Sequence, residues 1–227
     1  MLTSISGQGN VPSHLSSGIY DEKKLSLDQV TQTVDSLKIR LGIAEPVTLR
    51  ETSYAYHIAS AGLEGFLRDK MVITVNLAFL SSLSKGEREF VLLHELAHLK
   101  NKDNRADFLT ALAMVPPFFA SSVILLRMTS STSATMQVAG VGICWLATRV
   151  ARSVLHQLNE RRADKEAFMA CSYEGKRGAI SFFNKQLESE RTLSWARRVL
   201  THSRTFIFRG IEHPPLSTRI RLLEALS

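Results

Sequence analysis

The chain has 227 residues, 44% of them hydrophobic, with only 6 Pro and 2 Cys. That composition excludes disordered and collagen-like classes, and Cys144 and Cys171 have no metal spacing and suggest no disulfide framework. The formal charge of +7 falls entirely after residue 148, because acidic and basic side chains cancel up to that point. A basic C-terminal third suits nucleic acid or an anionic membrane surface, but neither zinc-knuckle cysteines nor an RNP-like aromatic run accompanies it, so no nucleic-acid partner is expected.

Residues 1–20, rich in Ser and Gly, read as a flexible arm, and Met1 to Gly9 lacks the basic and apolar regions of a secretory signal. Leu27, Val30, Val34, Leu37 and Leu41 recur at spacings of three and four, which predicts an amphipathic helix over 25–41 closed by Gly42. Val47 and Leu49 begin a strand, and Tyr54 to Ile58 is β-prone. Met71 to Val75 is a short apolar strand. It is expected either as an edge on which an extended substrate pairs or as an ordinary sheet strand.

Ser84-Lys85-Gly86-Glu87 has the form of a capping box and opens a helix carrying His94-Glu95-Leu96-Ala97-His98. Two histidines four apart share a helix face, so both imidazoles can reach one cation, of which Zn²⁺ is the usual occupant. Glu95 is then close enough to take a proton from the attacking water. A buried amphipathic helix with incidental histidines has the same pattern.

After a polar break at Lys100–Arg105, Phe108 to Leu126 and Met128 to Thr148 contain no charged residue, and Arg127 alone separates them. About 20 apolar residues cross a bilayer, so 107–149 reads as a transmembrane hairpin with a Ser/Thr loop. Pro116-Pro117 would kink or break its first helix. Two helices buried in a soluble core are the other reading. Lys100, Lys102 and Arg105 before the hairpin and Arg149 and Arg152 after it place both flanks on the cytoplasmic side.

From Arg149 to Ala170 the pattern is helical, with Val150, Val154, Leu158, Ala163, Ala167 and Ala170 marking one side. Glu160 and Asp164 lie four apart on it. One of them can complete a three-ligand zinc set while the other holds a ligand histidine through its second ring nitrogen. His156, four before Glu160, competes as a ligand. Further helices are expected over 176–188, 193–208 and 217–226. The second mixes Trp195, Arg197, Arg198 and Phe206 in a way that suits a membrane interface or a core helix with a basic face.

Three motifs in this order are similar to the integral-membrane zinc endopeptidases of the HtpX, Oma and CAAX prenyl protease type. They are Phe90 to Asp103 with His94-Glu95-Leu96-Ala97-His98, Asn159-Glu160 with Ala163-Asp164, and His213-Pro214-Pro215-Leu216 with Arg219-Ile220. The resemblance runs from about residue 45 to the C terminus. It implies that His94, His98 and Glu160 bind one Zn²⁺ and that Glu95 is the general base. It further implies that Asp164 supports a ligand histidine, that His213 donates to the oxyanion and that Arg219 shapes that side of the site. Where the family carries an Asn-Ala-aromatic step, this sequence reads Tyr54-Ala55-Tyr56, and the amino-terminal membrane helices of larger relatives are not seen.

The expected fold is α+β: a mainly helical zincin-type metallopeptidase of the gluzincin kind, with a small β-sheet and an apolar helical hairpin inserted between the two halves of the zinc site. Residues 21–106 would form the first half of the peptidase domain, 107–149 the hairpin and 150–227 the second half. The expected activity is hydrolysis of peptide bonds in a protein or peptide substrate, by an integral membrane protein whose catalytic side faces the cytoplasm. The rivals are a catalytically silent zinc-binding membrane protein, a soluble minimal zinc peptidase and a soluble basic module that binds nucleic acid.

Overall fold

The computed structural model describes residues 25–53, 59–64, 70–128, 134–192 and 213–227. The N-terminal arm, the Tyr54–Ile58 stretch, the Ser/Thr loop at 129–133 and the expected helix at 193–208 lie outside them. The elements run α1 (Leu27–Arg40), β1 (Val47–Glu51), β2 (Ala59–Glu64), β3 (Lys70–Val75), α2 (Leu77–Ser82) and α3 (Lys85–Asn101). Then come α4 (Asp103–Met128), α5 (Ala134–Ala170), α6 (Tyr173–Thr192) and α7 (Leu216–Glu224). The described chain is mostly helical, with one small sheet.

Helix α1 starts at Ser26, whose hydroxyl accepts from Gln29 N–H while the Gln29 side chain accepts from Ser26 N–H. Val30, Val34 and Leu37 are buried, as their spacing predicts. Gly42, at φ 71°, takes the left-handed conformation after the helix end.

The sheet order is β1-β3-β2, with β1 parallel and β2 antiparallel to β3. Of the two expectations for Met71–Val75, this selects the ordinary sheet strand over the free edge. Val47–Glu51 pairs along one side of β3 and Ala59–Glu64 along the other, so both of its hydrogen-bonding rows are occupied. Met71, Val72, Ile73 and Val75 are buried, as befits a central strand.

Helix α3 is the element the others pack around. Phe90, Leu93, Leu96, Ala97 and Leu99 are almost fully buried, and each large apolar side chain contributes about 1.5–3 kcal/mol when removed from water. The capping box forms as predicted: Ser84 Oγ accepts from Glu87 N–H, and Glu87 Oε2 accepts from Ser84 N–H at 2.9 Å. The other Glu87 oxygen accepts from Ser181 Oγ at 2.9 Å and lies 2.8 Å from Lys185 Nζ. A fully buried carboxylate thus ties the start of α3 to α6. The two helices approach so closely there that a methyl group on Gly178 would overlap the backbone of Gly86 and Glu87. Two residues on, Glu89 accepts from the N–H and hydroxyl of Ser172, both at 2.7 Å, and from Arg40 at 2.6 Å.

The polar break before the apolar segment is a single residue. Lys102, at φ 54°, is left-handed, and its N–H bonds back to the carbonyls of His98 and Leu99. Helix α4 starts at once and runs through Pro116 and Pro117, so of the expected kink or break the break does not occur. Two adjacent prolines leave only the carbonyls of Leu112 and Ala113 without their usual helical donors, and the flanking turns stay intact. Helix α5 continues unbroken from the second apolar run to Ala170. Its apolar residues do not form one side, contrary to expectation: Ala163 and Ala167 are buried, whereas Val150, Val154 and Leu158 are exposed. The step of five from Leu158 to Ala163 turns the pattern by about 140° around the helix axis. Helices α4 and α5 pack against each other where a side chain on Gly140 would overlap Leu125. Away from that contact they expose Phe108, Leu112, Phe119, Ile124, Val138 and Ile143, among others.

Burial opposes ionisation of Glu87, but its bonds to Lys185, Ser84 and Ser181 outweigh burial and hold its carboxyl below the usual value of 4.5. A depressed folded pKa contributes stability that is present above 4.5 and lost as pH falls through the folded value. Glu87→Gln should therefore destabilise the neutral protein by about 1–3 kcal/mol and flatten the loss of stability on acidification. Denaturant unfolding of the purified protein at pH 7 and pH 3 measures both.

Candidate metal centre

His94 and His98 stand on the face of α3 that meets α5, with ring centroids 4.6 Å apart and planes at 88°. Their Nε2 atoms are 3.1 Å apart. Glu160 of α5 reaches both, with Oε1 3.2 Å from His98 Nε2 and Oε2 3.6 Å from His94 Nε2. Four donors arranged tetrahedrally about zinc at about 2.0–2.1 Å would stand roughly 3.3 Å from one another. The separations here, two of them to different oxygens of Glu160, lie near that spacing. All three donors are of the imidazole and carboxylate types that zinc accepts.

The outer nitrogens of the two rings are held from behind. His98 Nδ1 lies 2.8 Å from Asp103 Oδ2, and His94 Nδ1 lies 3.1 Å from Asp164 Oδ1. The second approach is a close contact without a formed hydrogen bond, and both Asp164 oxygens accept from Arg219. The Arg219 fork donates through Nε at 2.6 Å and Nη2 at 2.5 Å. The guanidinium rests over the Phe183 ring at 4.3 Å, and Phe183 meets Phe90 edge-on. Asp103 is in turn bonded by Arg162 of α5. Asn101 donates to Glu166 at 3.1 Å, which ties the end of α3 to α5 a second time.

The electrostatics favour positive charge at the centre. Burial works against a charged His98, but hydrogen bonds to Asp103 and Glu160 and the charge of Glu95 prevail and push its imidazole up to about 10. Burial would raise Glu160, yet bonds from His213 and His98 and the charge of His94 hold it far below the usual carboxylate range. Burial is likewise outweighed at Asp164, where His94 and Arg219 hold the carboxyl down. Zinc binding there requires His98 to give up the proton that keeps it charged, and the cation then takes over the carboxylate charges that held that proton.

His94, His98 and Glu160 thus come together, with Asp164 and Arg219 directly behind His94. Glu95 follows His94 in α3 and is half-buried. His213 enters from the segment before α7, 58% exposed, with Nδ1 2.7 Å from Glu160 Oε2. His156, read from the sequence as a competing ligand, has Nε2 3.7 Å from Glu160 Oε1. Sequence reading assigned no role to Asp103. It lies five residues after His98, beyond the helix end, where helical periodicity no longer applies. The left-handed turn at Lys102 folds it back under the ring.

The sequence model of peptidase family M48 matches residues 28–227. A protein described as "Protease HtpX homolog", from Gemmatimonas aurantiaca, is 24% identical over 225 residues, covering 88% of this chain and 76% of its own. No solved structure matches. A match running from within the first helix to the last residue takes in every element around His94, His98 and Glu160, and the chain belongs to peptidase family M48.

Proposed function

We propose that this protein is a zinc-dependent endopeptidase held in a bilayer by α4 and α5. Membership of a family of zinc metallopeptidases supports the reading. The observation that carries it is the convergence of two Nε2 atoms and one carboxylate at 3.1–3.6 Å, with each outer nitrogen backed by a second carboxylate. His94, His98 and Glu160 would hold the ion. Bound there, zinc supplies the Lewis acidity that polarises a scissile carbonyl and eases deprotonation of the attacking water.

The chain's own residues do the rest. Glu95 accepts the proton of the attacking water on its carboxylate and delivers it to the leaving amine. His213 has Nδ1 engaged by Glu160, which orients the ring so that Nε2 can donate to the developing oxyanion. Loss of such a donor costs on the order of 3 kcal/mol in acyl-transfer sites. Asp103 and Asp164 set the two ligand rings so that Nε2 faces inward, and Arg219 fixes Asp164. Substrates are protein or peptide segments, and no nucleic acid takes part.

The membrane part rests on two stretches. Phe108–Arg127 and the helix from Thr135 are long and apolar enough to cross a bilayer by length and composition. They expose that apolar surface instead of burying it in a core, which speaks against the soluble-core alternative. Residues 107–149 would form the membrane hairpin, with 21–106 and 150–227 as the two halves of the peptidase on the cytoplasmic side. The flanking positive charges support that orientation.

Zinc analysis of the purified protein should find one tightly held ion per chain, lost in His94→Ala. Glu95→Gln should keep the ion and lose about 10²–10⁴-fold in hydrolysis of an unfolded protein substrate. Near-normal turnover in Glu95→Gln would remove it as the base. Asp103→Ala should weaken zinc affinity about 10–100-fold in competition with a chelator, and an unchanged affinity would reduce Asp103 to a purely structural role. The protein should stay with membranes through an alkaline carbonate wash and leave only with detergent. A cysteine introduced by Ser189→Cys should react with an impermeant reagent from the cytoplasmic face alone. Monodisperse protein in plain buffer would overturn the membrane part and leave a soluble peptidase.

A further inference from the structure

Glu160 has histidines on both sides. Its Oε1 lies 3.2 Å from His98 Nε2 and 3.7 Å from His156 Nε2. Its Oε2 lies 3.6 Å from His94 Nε2 and 2.7 Å from His213 Nδ1. The inner pair belongs to the centre described above. His156 sits one turn before Glu160 on α5, and His213 approaches from the segment before α7. One donor atom from each of His156, Glu160 and His213 lies within 4.8 Å of the other two.

Of the outer pair, His213 belongs to the proposed peptidase machinery and His156 has no part in it. At 3.7 Å, His156 is beyond hydrogen-bond reach of Glu160, so it does not orient the carboxylate. The His156 and His213 rings are 6.0 Å apart and tilted by 57°, which leaves room between them for an ion. Two imidazoles and a carboxylate are the donor chemistry of a divalent transition metal, zinc above all. A carboxylate can serve two cations about 3.5–4 Å apart, as two-metal hydrolytic sites do.

We infer that His156, Glu160 and His213 form a second zinc site that shares Glu160 with the inner one. The two sites differ in affinity. The inner rings are backed by Asp103 and Asp164, whereas His213 is mostly exposed and His156 partly so. Arg219, 3.6 Å from Glu160 Oε2, adds a positive charge that disfavours a second cation. The second ion therefore binds after the first and at higher free zinc. Because the outer site opens to solvent, that ion enters without unfolding. Resting on the peptidase reading, this has a functional consequence: an ion that takes His213 Nδ1 breaks the bond to Glu160 that aims Nε2 at the oxyanion, so excess zinc inhibits the enzyme.

The test is a titration of the full detergent-solubilised chain with buffered Zn²⁺, following bound zinc per chain and cleavage of an unfolded protein substrate. Wild type should bind a second equivalent and lose about 10²-fold in rate as it does so, the effect of losing one oxyanion donor. His156→Ala and His156→Asn should stop at one equivalent and keep their activity at zinc concentrations that inhibit wild type. Wild type saturating at one equivalent would overturn the site, as would a second ion that persists in both His156 variants. His98→Ala separates the two readings. If it keeps the tightly held ion, the inner assignment fails, while the His156 variants still decide the outer site. If no activity is found under any condition, the stoichiometry still decides the site.

Discussion

Two imidazole nitrogens 3.1 Å apart inside a protein must be held there against their tendency to seek other partners. Here the holding is done from behind. One ring is backed by a carboxylate from the turn that follows its helix, the other by a carboxylate from α5. Those carboxylates are themselves fixed by arginines of α5 and α7. The turn into α4, helix α5 and helix α7 must all be in place before the rings can be aligned. The buried Glu87, the Glu89 network and the Gly86–Gly178 approach are what fix α6 and α1 against α3. The site is thus a product of the tertiary packing, although two of its donors lie within one helical turn.

That division explains what could be read from the sequence. The capping box at Ser84 and Glu87, the helix over 85–101 and the shared face of His94 and His98 are local, and helical periodicity gives them directly. Glu160 and Asp164 were legible as a pair on one face. The assignment of Glu160 to the ion and Asp164 to His94 came only from the resemblance to a family. Asp103 was not legible, because it depends on a left-handed lysine, a conformation that sequence patterns do not announce. The strand at Met71–Val75 was placed correctly as a strand and wrongly as a possible free edge. Neighbour order in a sheet is set by contacts distant in sequence, and β1 and β2 were not weighed as its two partners. The change of apolar face after Leu158 has a simpler cause: the step of five to Ala163 breaks the spacing of three and four that keeps residues on one side.

The exposed apolar surface of α4 and α5 and the buried polar centre are two halves of one topological fact. The chain leaves α3 just after His98 and returns just before Glu160, so the ligands lie at the two feet of the helical pair. Packing at Gly140 and Leu125 brings the helices close enough for Asp103, at one foot, to bond Arg162 at the other. Separation of the feet would break that bond and withdraw Glu160 from the histidines together. The geometry of the centre is therefore sensitive to how α4 and α5 sit side by side.

Helix α5 is a single rod of 37 residues, about 55 Å long at 1.5 Å per residue. Glu160 lies about 18 Å along it from Thr148, the last residue of the uncharged stretch. With that stretch in a bilayer, as proposed, the rod acts as a gauge of height. It fixes the distance from the lipid surface at which a peptide bond can be cut, at no more than about 18 Å. An extended chain covers about 3.3 Å per residue, so a substrate emerging from the same bilayer would be cleaved within roughly the first six residues outside it.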